Sequence, residues 1–431
     1  MKIAAFLPAK GSSERIKGKN LRLLNGKPLF LHTLEKLVEC EFIDEVYLDS
    51  ESDDILNYAS YLNYFPLKRD KELATNKTDG HKMFYNEVRQ ADADIYIQIL
   101  GTSPFIKKET IKKGVDILKD NPYYDSVVLV KKEKQYTWGK EQPNYNKEHI
   151  PNSIDLPDTI VETMGLYMVR SDAAHEKRQR YGDRVYLLEA EAIESVDVNF
   201  EDDFQLAERI AEGIWMEEVN KFRMLSKHLS SSLLSDILWE YGVRSSVTGL
   251  NLNIKNSRIM GRANTLKIRR LRENEDFHGI YDGLCTYKEI RNGEIICVEN
   301  ECPEYAYFGE LNANLAIRCG AVGTIVDGVT RDIHEVTQLG YPVFSKGYCC
   351  TDVRGTATVE SHNQEIRLGG IKILPGSIIF ADANGVVMIP GKLEQEVLNR
   401  ALESMKTEKS VLNRIILGEE AFSIHQKEGA F

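Results

Sequence analysis

The sequence predicts two α/β domains in series, the first built on a mostly parallel sheet with helices on both faces, the second richer in short strands. Three observations carry this reading. The chain has 431 residues, and at roughly 150 residues per domain that is about 2.9 domains' worth, so two large or three small ones are expected. Its first half alternates apolar, strand-like runs with longer helical patterns, the signature of a helix-covered sheet. Near residue 225 the pattern restarts, and short β-like runs punctuated by glycines follow. No internal repeat is present, so the two halves are unlike domains joined covalently.

In order, a strand is predicted over Ile3 to Leu7, a helix near Leu29 to Cys40, and strands at Glu45 to Leu48, Ile95 to Leu100 and Ser126 to Val130. The polar, Tyr- and Lys-rich stretch Lys131 to Pro157 interrupts the alternation. It reads as an insertion, a lid or a dimer arm, because long irregular segments in compact domains tend to be functional or mobile. Gly165 to Val169 resumes a strand. Asp202 to Met224 is an amphipathic helix carrying Phe204, Leu206, Ala207, Ile210 and Ile214. Ser230-Ser231-Ser232 then restarts the pattern before Leu233, which places the domains at 1–225 and 226–431. The second half offers strands at Thr324 to Val326, Val343 to Phe344, Thr356 to Val359, Ile378 to Ala381 and Val386 to Ile389. It closes on a helix with Leu393, Val397, Ala401, Leu402 and Met405 on one face.

With 42% apolar and 28% charged residues, 30 Gly and 12 Pro, the chain is ordinary globular material with a large core available. Its 55 basic and 66 acidic residues give a net charge of −11. That balance opposes a general nucleic-acid or membrane-surface binder, since phosphate backbones demand a basic face; small anions can still bind in locally basic pockets. The seven cysteines, odd in number and scattered, read as reduced thiols. Neither Cys-x-x-Cys nor His-x-x-x-His occurs, and the vicinal Cys349 and Cys350 cannot by themselves make a tetrahedral zinc site. At the N-terminus only Ile3 to Pro8 is apolar, too short for a signal peptide or a membrane span, so a cytoplasmic protein is expected.

The most informative segment follows the first strand: Leu7-Pro8-Ala9-Lys10-Gly11-Ser12-Ser13-Glu14-Arg15-Ile16-Lys17-Gly18-Lys19-Asn20. A strand opening into a loop with two glycines, two serines and four cations can cradle a triphosphate. Backbone N–H groups and hydroxyls point at oxygens while ammonium and guanidinium groups neutralise charge. No Gly-Lys-Ser/Thr closes it, so it is not a P-loop; taken alone it is also the pattern of a solvated turn. The segment resembles the opening of the sugar-acid cytidylyltransferases, the CMP-acylneuraminate and CMP-3-deoxy-octulosonate synthetases. Further matches are Asn25-Gly26-Lys27-Pro28-Leu29, Glu72-Leu73-Ala74, Thr102-Ser103-Pro104, Gly165-Leu166-Tyr167 and Ser195-Val196-Asp197-Val198-Asn199. The resemblance implies a Rossmann-like nucleotidyltransferase fold in which Lys10, Arg15 and Lys19 hold the phosphates of CTP. It assigns Ser13, Asn20, Thr102 and Ser103 to the nucleotide and sugar pocket, and Asp197 with Asn199 to Mg²⁺. Lys10 stands where the family has Arg, Asn199 where the neuraminate enzymes have a second Asp, and Leu100-Gly101 where Gln-Pro is usual. The implied reaction is attack of the anomeric hydroxyl of a 2-keto-3-deoxy sugar acid on the α-phosphorus of CTP, which needs positioning and charge neutralisation more than covalent chemistry. His32 and His81 are assigned no role.

In the second half Gly309-Glu310-Leu311-Asn312-Ala313-Asn314-Leu315-Ala316 reads as a helix start, with Leu311, Leu315 and Cys319 on one face. The strand Thr324 to Val326 and Asp327-Gly328-Val329-Thr330-Arg331-Asp332 follow, then a short helix with Glu335. One helix plus one strand returns the chain, so Arg331 and the start of the Glu310 helix should adjoin. That would bring together free helix amides, a guanidinium fork and acidic groups for a divalent metal. The pattern alone equally suits a surface Arg–Asp pair with a capping Glu. The segment, with Gly261-Arg262-Ala263, Gly340-Tyr341-Pro342-Val343-Phe344, Pro375-Gly376-Ser377 and Ala381-Asp382, resembles the metal-dependent 4-hydroxy-4-methyl-2-oxoglutarate aldolases and the related regulators of ribonuclease activity A. That resemblance implies a swivelling β/β/α domain over about residues 230 to 391. In it Asp332 ligates Mg²⁺ or Mn²⁺, Arg331 holds a pyruvyl carboxylate, Gly309 and the amides near Leu311 and Asn312 complete the anion site, and Glu310 positions metal-bound water.

Together these readings predict a cytosolic bifunctional enzyme, a cytidylyltransferase fused to a divalent-metal-dependent pyruvate aldolase-like lyase. Its expected partners are CTP, a sugar acid and a pyruvate-type 2-oxo acid, without nucleic acid or membrane. The resemblances imply a dimer-former joined to a trimer- or hexamer-former, hence a higher homo-oligomer such as a hexamer. The alternatives are a transferase with a silent C-terminal assembly or regulatory domain and, more remotely, a ribonuclease-binding protein.

Overall fold

The computed structural model describes residues 1–75 and 78–428. Contacts divide the chain into two compact units, Met1–Gly213 and Ile214–Phe431. The division falls inside the helix Glu201–Ser226, because Phe222 and Leu225 near its end join a core with Leu229, Leu234 and Ile237. No helix among the described residues is long and apolar enough to cross a membrane.

The first unit holds a seven-stranded sheet of β1 (Ile3–Pro8), β2 (Glu45–Ser50), β3 (Phe65–Lys68), β4 (Ile95–Ile99), β5 (Ser126–Glu133), β6 (Thr159–Arg170) and β7 (Val185–Glu189), in the order β3-β2-β1-β4-β6-β5-β7. All neighbours pair in parallel except β6, which is antiparallel to both β4 and β5. β1 lies inside the sheet between β2 and β4, with Ile3 to Leu7 fully buried. A continuous apolar run is what a strand covered on both faces requires. Helices α1 (Leu29–Val38), α2 (Asp53–Tyr58) and α4 (Lys108–Asp120) pack Leu34, Ile55 and Val115 on one face. Helices α3 (Gly80–Val88) and α5 (Ser171–Lys177) pack Phe84, Val88 and Ala174 on the other. The last main helix is α6 (Glu201–Ser226).

The strands reach further into the Lys131 to Pro157 stretch than the apolar runs suggest. Lys131 pairs with Val161 and Glu133 with Thr159, a ribbon of polar alternation beyond the covered sheet. The rest of that stretch exposes Trp138, Ile150 and Ile154.

The second unit carries a nine-stranded mixed sheet of β8 (Ser246–Val247), β9 (Asn251–Leu252), β10 (Ile259–Arg270), β11 (Ile295–Asn300), β12 (Gly323–Val326), β14 (Val343–Ser345), β16 (Ala357–His362), β17 (Ile378–Asp382) and β18 (Gly385–Ile389). Two short strands, β13 (Val329–Thr330) and β15 (Gly347–Tyr348), pair separately in parallel. The order is β8-β18-β17-β10-β11-β12-β14-β9, with β16 also on β10. β10 to β12 and β14 are parallel, while β17 and β18 return antiparallel. Helix α7 (Ser231–Glu240) starts at Ser230, whose hydroxyl accepts the Leu233 amide. Helices α8 (Glu310–Cys319), α9 (Ile333–Gln338), α10 (Glu394–Ile416) and α11 (Ala421–Glu428) follow.

α8 buries Ala313 and Ala316, and Leu315 and Cys319 pack against the same core, while Leu311 at the start of the helix is 77% exposed. One helix face differs from the sequence reading. On α10, Val397 and Ala401 are buried but Leu402 faces outward.

Candidate functional site

The loop after β1 is held in a fixed shape by its own polar groups. The Gly11 amide donates to Glu51 Oε1 at 2.9 Å, and a Cβ on Gly11 would lie 2.6 Å from the Ser52 Cβ. Only glycine permits that approach to the end of β2. The Asn20 side chain, buried, donates to the Lys10 carbonyl at 2.7 Å and closes the loop; Gly18 supplies a left-handed turn at φ 61°. Ser13 Oγ accepts the Ile16 amide at 3.4 Å, and the Arg15 guanidinium lies over the Phe200 ring at 5.2 Å.

Lys19 donates to the Val198 carbonyl at 2.9 Å, which ties this loop to the Asp197–Asn199 segment. The Val198 amide in turn donates to the Thr102 carbonyl at 2.9 Å. Three segments far apart in sequence therefore meet. Burial lowers the Lys19 ammonium below its usual value; Asp197 opposes the shift, whereas Arg15 and Lys10 add to it. Three cations thus press on one another near the Asp197 and Asp203 carboxylates, an arrangement that a polyanion relieves. Asp197 Oδ2 accepts the Asn199 side-chain amide, and its Oδ1 is buried without a partner among the described residues. One open carboxylate oxygen suits Mg²⁺, which is commonly held by one or two carboxylates together with substrate phosphates. Among the described residues no group of three or more His, Cys, Asp or Glu is placed to hold a metal. Ser103 is buried beneath this surface, its hydroxyl beside Gly165, while Thr102 is half-buried.

Several residues absent from the sequence reading support the site. Lys36 of α1 donates to the Pro104 and Ile106 carbonyls at 2.7 and 2.6 Å, and burial brings its ammonium down to about 8. Behind the ends of β2 and β4 lies a buried polar cluster. Arg69 Nε and Nη2 donate to Asp49 Oδ2 at 2.9 and 2.7 Å, and the Gln98 amide donates to Glu87. Burial first, and then the charge of Asp49, raises the Glu87 carboxyl well above the carboxylate range. Asp49 Oδ1 and Glu87 Oε1 both lack a donor among the described residues, so a proton retained on Glu87 satisfies the pair. Polar residues inside otherwise apolar strand runs, Asp49 and Gln98, were the available signal. His32, on the Leu24 carbonyl and lowered by burial to about 4, and His81, on the Arg180 amide, make structural hydrogen bonds.

In the second unit the predicted return of the chain is present: the Arg331 amide donates to the Phe308 carbonyl at 3.0 Å. The Glu310 amide donates to Asp332 Oδ2 at 3.1 Å, and a Cβ on Gly309 would collide with that oxygen. One amide expected to be free for a substrate is therefore taken by Asp332, while Leu311 and Asn312 form the rest of the first turn of α8. Asp332 sits at φ 55°, left-handed for a non-glycine residue, a conformation costing on the order of 1–2 kcal/mol. Arg331 Nη1 pairs with Asp352 Oδ2 at 2.6 Å, an acid the sequence reading did not include, and its Nε stands 3.6 Å from Asp332. Cys349 lies alongside, its amide on the Thr330 carbonyl and its thiol lowered by the Thr351 amide.

Comparison with known proteins agrees with this division. A family model described as cytidylyltransferase matches residues 4–221, and one described as Aldolase/RraA matches residues 231–388. Protein DlpA of Legionella pneumophila is 29% identical over 194 residues, 44% of this chain and 31% of DlpA, so the chain spans about a third of that relative. The CMP-N,N'-diacetyllegionaminic acid synthase of the same organism is 29% identical over 227 residues, covering 49% of this chain and 97% of the synthase. A putative 4-hydroxy-4-methyl-2-oxoglutarate aldolase of Halalkalibacterium halodurans is 28% identical over 188 residues, covering 42% of this chain and 81% of that protein. With its first half matched from end to end and an RraA-like region following it, the chain belongs to the cytidylyltransferase family.

Proposed function

We propose that the first unit transfers CMP from CTP to a 2-keto-3-deoxy sugar acid. The observation that carries this is the convergence of Lys10, Arg15 and Lys19 near Asp197, three cations held close together with Asp197 and Asp203 to offset them. Lys10, Arg15 and Lys19 bind the phosphate oxygens, and Asn20 keeps the loop closed. The anomeric oxygen of the acid forms a bond to the α-phosphorus, the bond to the β-phosphate oxygen breaks, pyrophosphate leaves, and the hydroxyl proton passes to solvent. Asp197, braced by Asn199, would hold Mg²⁺, which supplies charge neutralisation to the phosphates. Ser13 and Thr102 line the nucleotide and sugar side, with Ser103 buried beneath them. The test is base choice: pyrophosphate release with CTP should exceed that with UTP, ATP or GTP, and equal use of all four contradicts the reading.

The second unit is proposed to be a divalent-metal-dependent lyase for a 4-hydroxy-2-oxo acid. Asp332 would hold the metal, which supplies Lewis-acid withdrawal at the keto oxygen. Arg331 clamps the carboxylate, with Gly309, Leu311 and Asn312 beside it, and Glu310 orients water. An aldolase that joins pyruvate to an aldehyde yields a 2-keto-4-hydroxy acid, the class of compound the first unit activates. The Arg331–Asp352 ion pair and the Glu310 amide on Asp332 favour a second reading, a silent assembly domain in which these groups are structural. Chelator-sensitive pyruvate release separates the two. The family likenesses further point to a higher homo-oligomer, and a monodisperse monomer in light scattering contradicts that.

A further inference from the structure

A small core of the first unit sets two residues side by side at the edge of the phosphate loop. Ile16, Val198 and Phe204 pack together there with Leu24 and Leu29. Arg15 precedes Ile16, and Phe200 stands between Val198 and Phe204, so both are carried to the same edge of that core. The backbone at Phe200 is fixed from both sides. The Asn199 and Phe200 amides donate to Asp203 Oδ2 at 3.0 and 2.8 Å. Glu201, the next residue, accepts the Arg22 guanidinium through both oxygens at 2.5 and 2.8 Å. The Phe200 ring nonetheless stays 58% exposed, and the Arg15 guanidinium lies over it, with Cζ 5.2 Å from the ring centroid. A ring this open owes little to burial, and what it offers is a face for the cation.

Arg15 is exposed, on a loop where it and Lys10 both act against the charge on Lys19. An exposed arginine beside other cations tends to swing into solvent, where its charge is screened and its rotamers are free. The ring opposes both tendencies. Its negative π face attracts the guanidinium, and a phenylalanine with two side-chain torsions on a fixed backbone makes a platform at little cost in entropy. The choice of an aromatic matters for chemistry as well. A carboxylate in the same place would take up guanidinium N–H donors, whereas a ring face holds the cation without offering it an oxygen, so those donors stay available to phosphate. Phe200 also follows the Asp197–Asn199 segment directly, so the platform belongs to the turn that Lys19 ties to the loop through the Val198 carbonyl.

We infer that Phe200 is a positioning residue that holds Arg15 at the phosphate loop for binding of the CTP triphosphate. This rests on the proposed cytidylyl transfer. The test measures CTP binding to the full chain by calorimetry with Mg²⁺, and pyrophosphate release with N,N'-diacetyllegionaminate, pseudaminate and 3-deoxy-manno-octulosonate as acceptors. Phe200→Leu keeps apolar bulk but has no π face, and should raise the Kd for CTP by about 2–5-fold, the worth of an exposed cation–π contact. Phe200→Tyr should restore the parent value, and both variants should melt with the parent. In a chain already carrying Arg15→Ala, Phe200→Leu should leave Kd unchanged, because the ring then has no cation to hold. An unchanged Kd in Phe200→Leu overturns the inference while cytidylyl transfer stands. Tighter CTP binding also overturns it, since the ring would then keep Arg15 away from the phosphates. So does a Phe200→Tyr variant as weak as Phe200→Leu, or an equal rise in Kd with and without Arg15, which would make Phe200 act through the Asp197 turn instead. A parent that shows the Arg15-dependent effect but releases pyrophosphate with none of the acids overturns the transfer and leaves the platform standing; a parent that binds no CTP overturns both.

Discussion

Replacing Arg69 by Met should destabilise the first unit severely, and the size follows from burial. The Arg69 and Asp49 side chains are 2% and 0% exposed, with an Nη2–Oδ2 distance of 2.7 Å. Solvent therefore screens almost nothing, and removing the guanidinium leaves Asp49 beside Glu87 with no cation. Breaking a buried pair from one side costs roughly 3–5 kcal/mol. For a unit spanning Met1–Gly213, about 2–4 °C per kcal/mol is expected, so its melting transition should fall by about 6–20 °C. Scanning calorimetry of the whole chain should show the transition of the first unit moving while that of the second stays in place. The double variant Arg69→Met/Asp49→Leu should recover most of the loss, because removing both partners leaves no uncompensated charge of the pair. A single variant within about 1 kcal/mol of the parent, or a double variant no better than the single, would refute the assignment of this pair as a buried charge balance.

Three further outcomes are expected. Glu87 binds its proton more tightly folded than unfolded, so the first unit should lose stability as pH rises above 4.5, by about 1.4 kcal/mol per unit until the raised value is reached; Glu87→Gln should flatten that slope in pH-dependent melting, and an unaltered slope counts against a retained proton. Lys19→Ala should cut pyrophosphate release about 10²–10³-fold, the usual worth of one well-placed charge-stabilising donor, with the melting of the second unit unchanged. Asp332→Ala should abolish chelator-sensitive pyruvate release from 4-hydroxy-2-oxo acids and oxaloacetate, and Gly309→Ala should impair it through the collision with Asp332; absence of any such release in the parent hands the second unit to the silent-domain reading.

What the sequence made legible was local or set by short returns of the chain. The β1 run is apolar throughout because it is buried on both faces, and the cations of its loop follow at once, so strand and loop could be read together. Arg331 could be placed beside the start of α8 because one helix and one strand must bring the chain back. The unread parts depend on strand order. Asp49, Arg69, Glu87 and Gln98 meet only because β2, β1 and β4 are neighbours and α3 crosses them. Arg180 reaches Gly80 and Tyr167 from a connection with no pattern of its own. β10, Ile259–Arg270, escaped notice because Arg262, Asn264 and Lys267 interrupt its apolar residues. Arg262 is held there by Glu218 and Glu394. Leu311 shares its face with Leu315 and Cys319, which pack against the core, but helical spacing does not show that the first turn runs out beyond that core.

The claim that this chain is a sugar-acid cytidylyltransferase is tested most directly by incubating it with CTP, Mg²⁺ and a panel of 2-keto-3-deoxy sugar acids, and following phosphorus products by NMR and mass spectrometry. The account predicts one pyrophosphate released for each CMP-linked sugar acid formed, with neither product appearing when CTP or the acid is omitted. Pyrophosphate without a CMP-linked product, or no consumption of CTP with any acid of the panel, would contradict it.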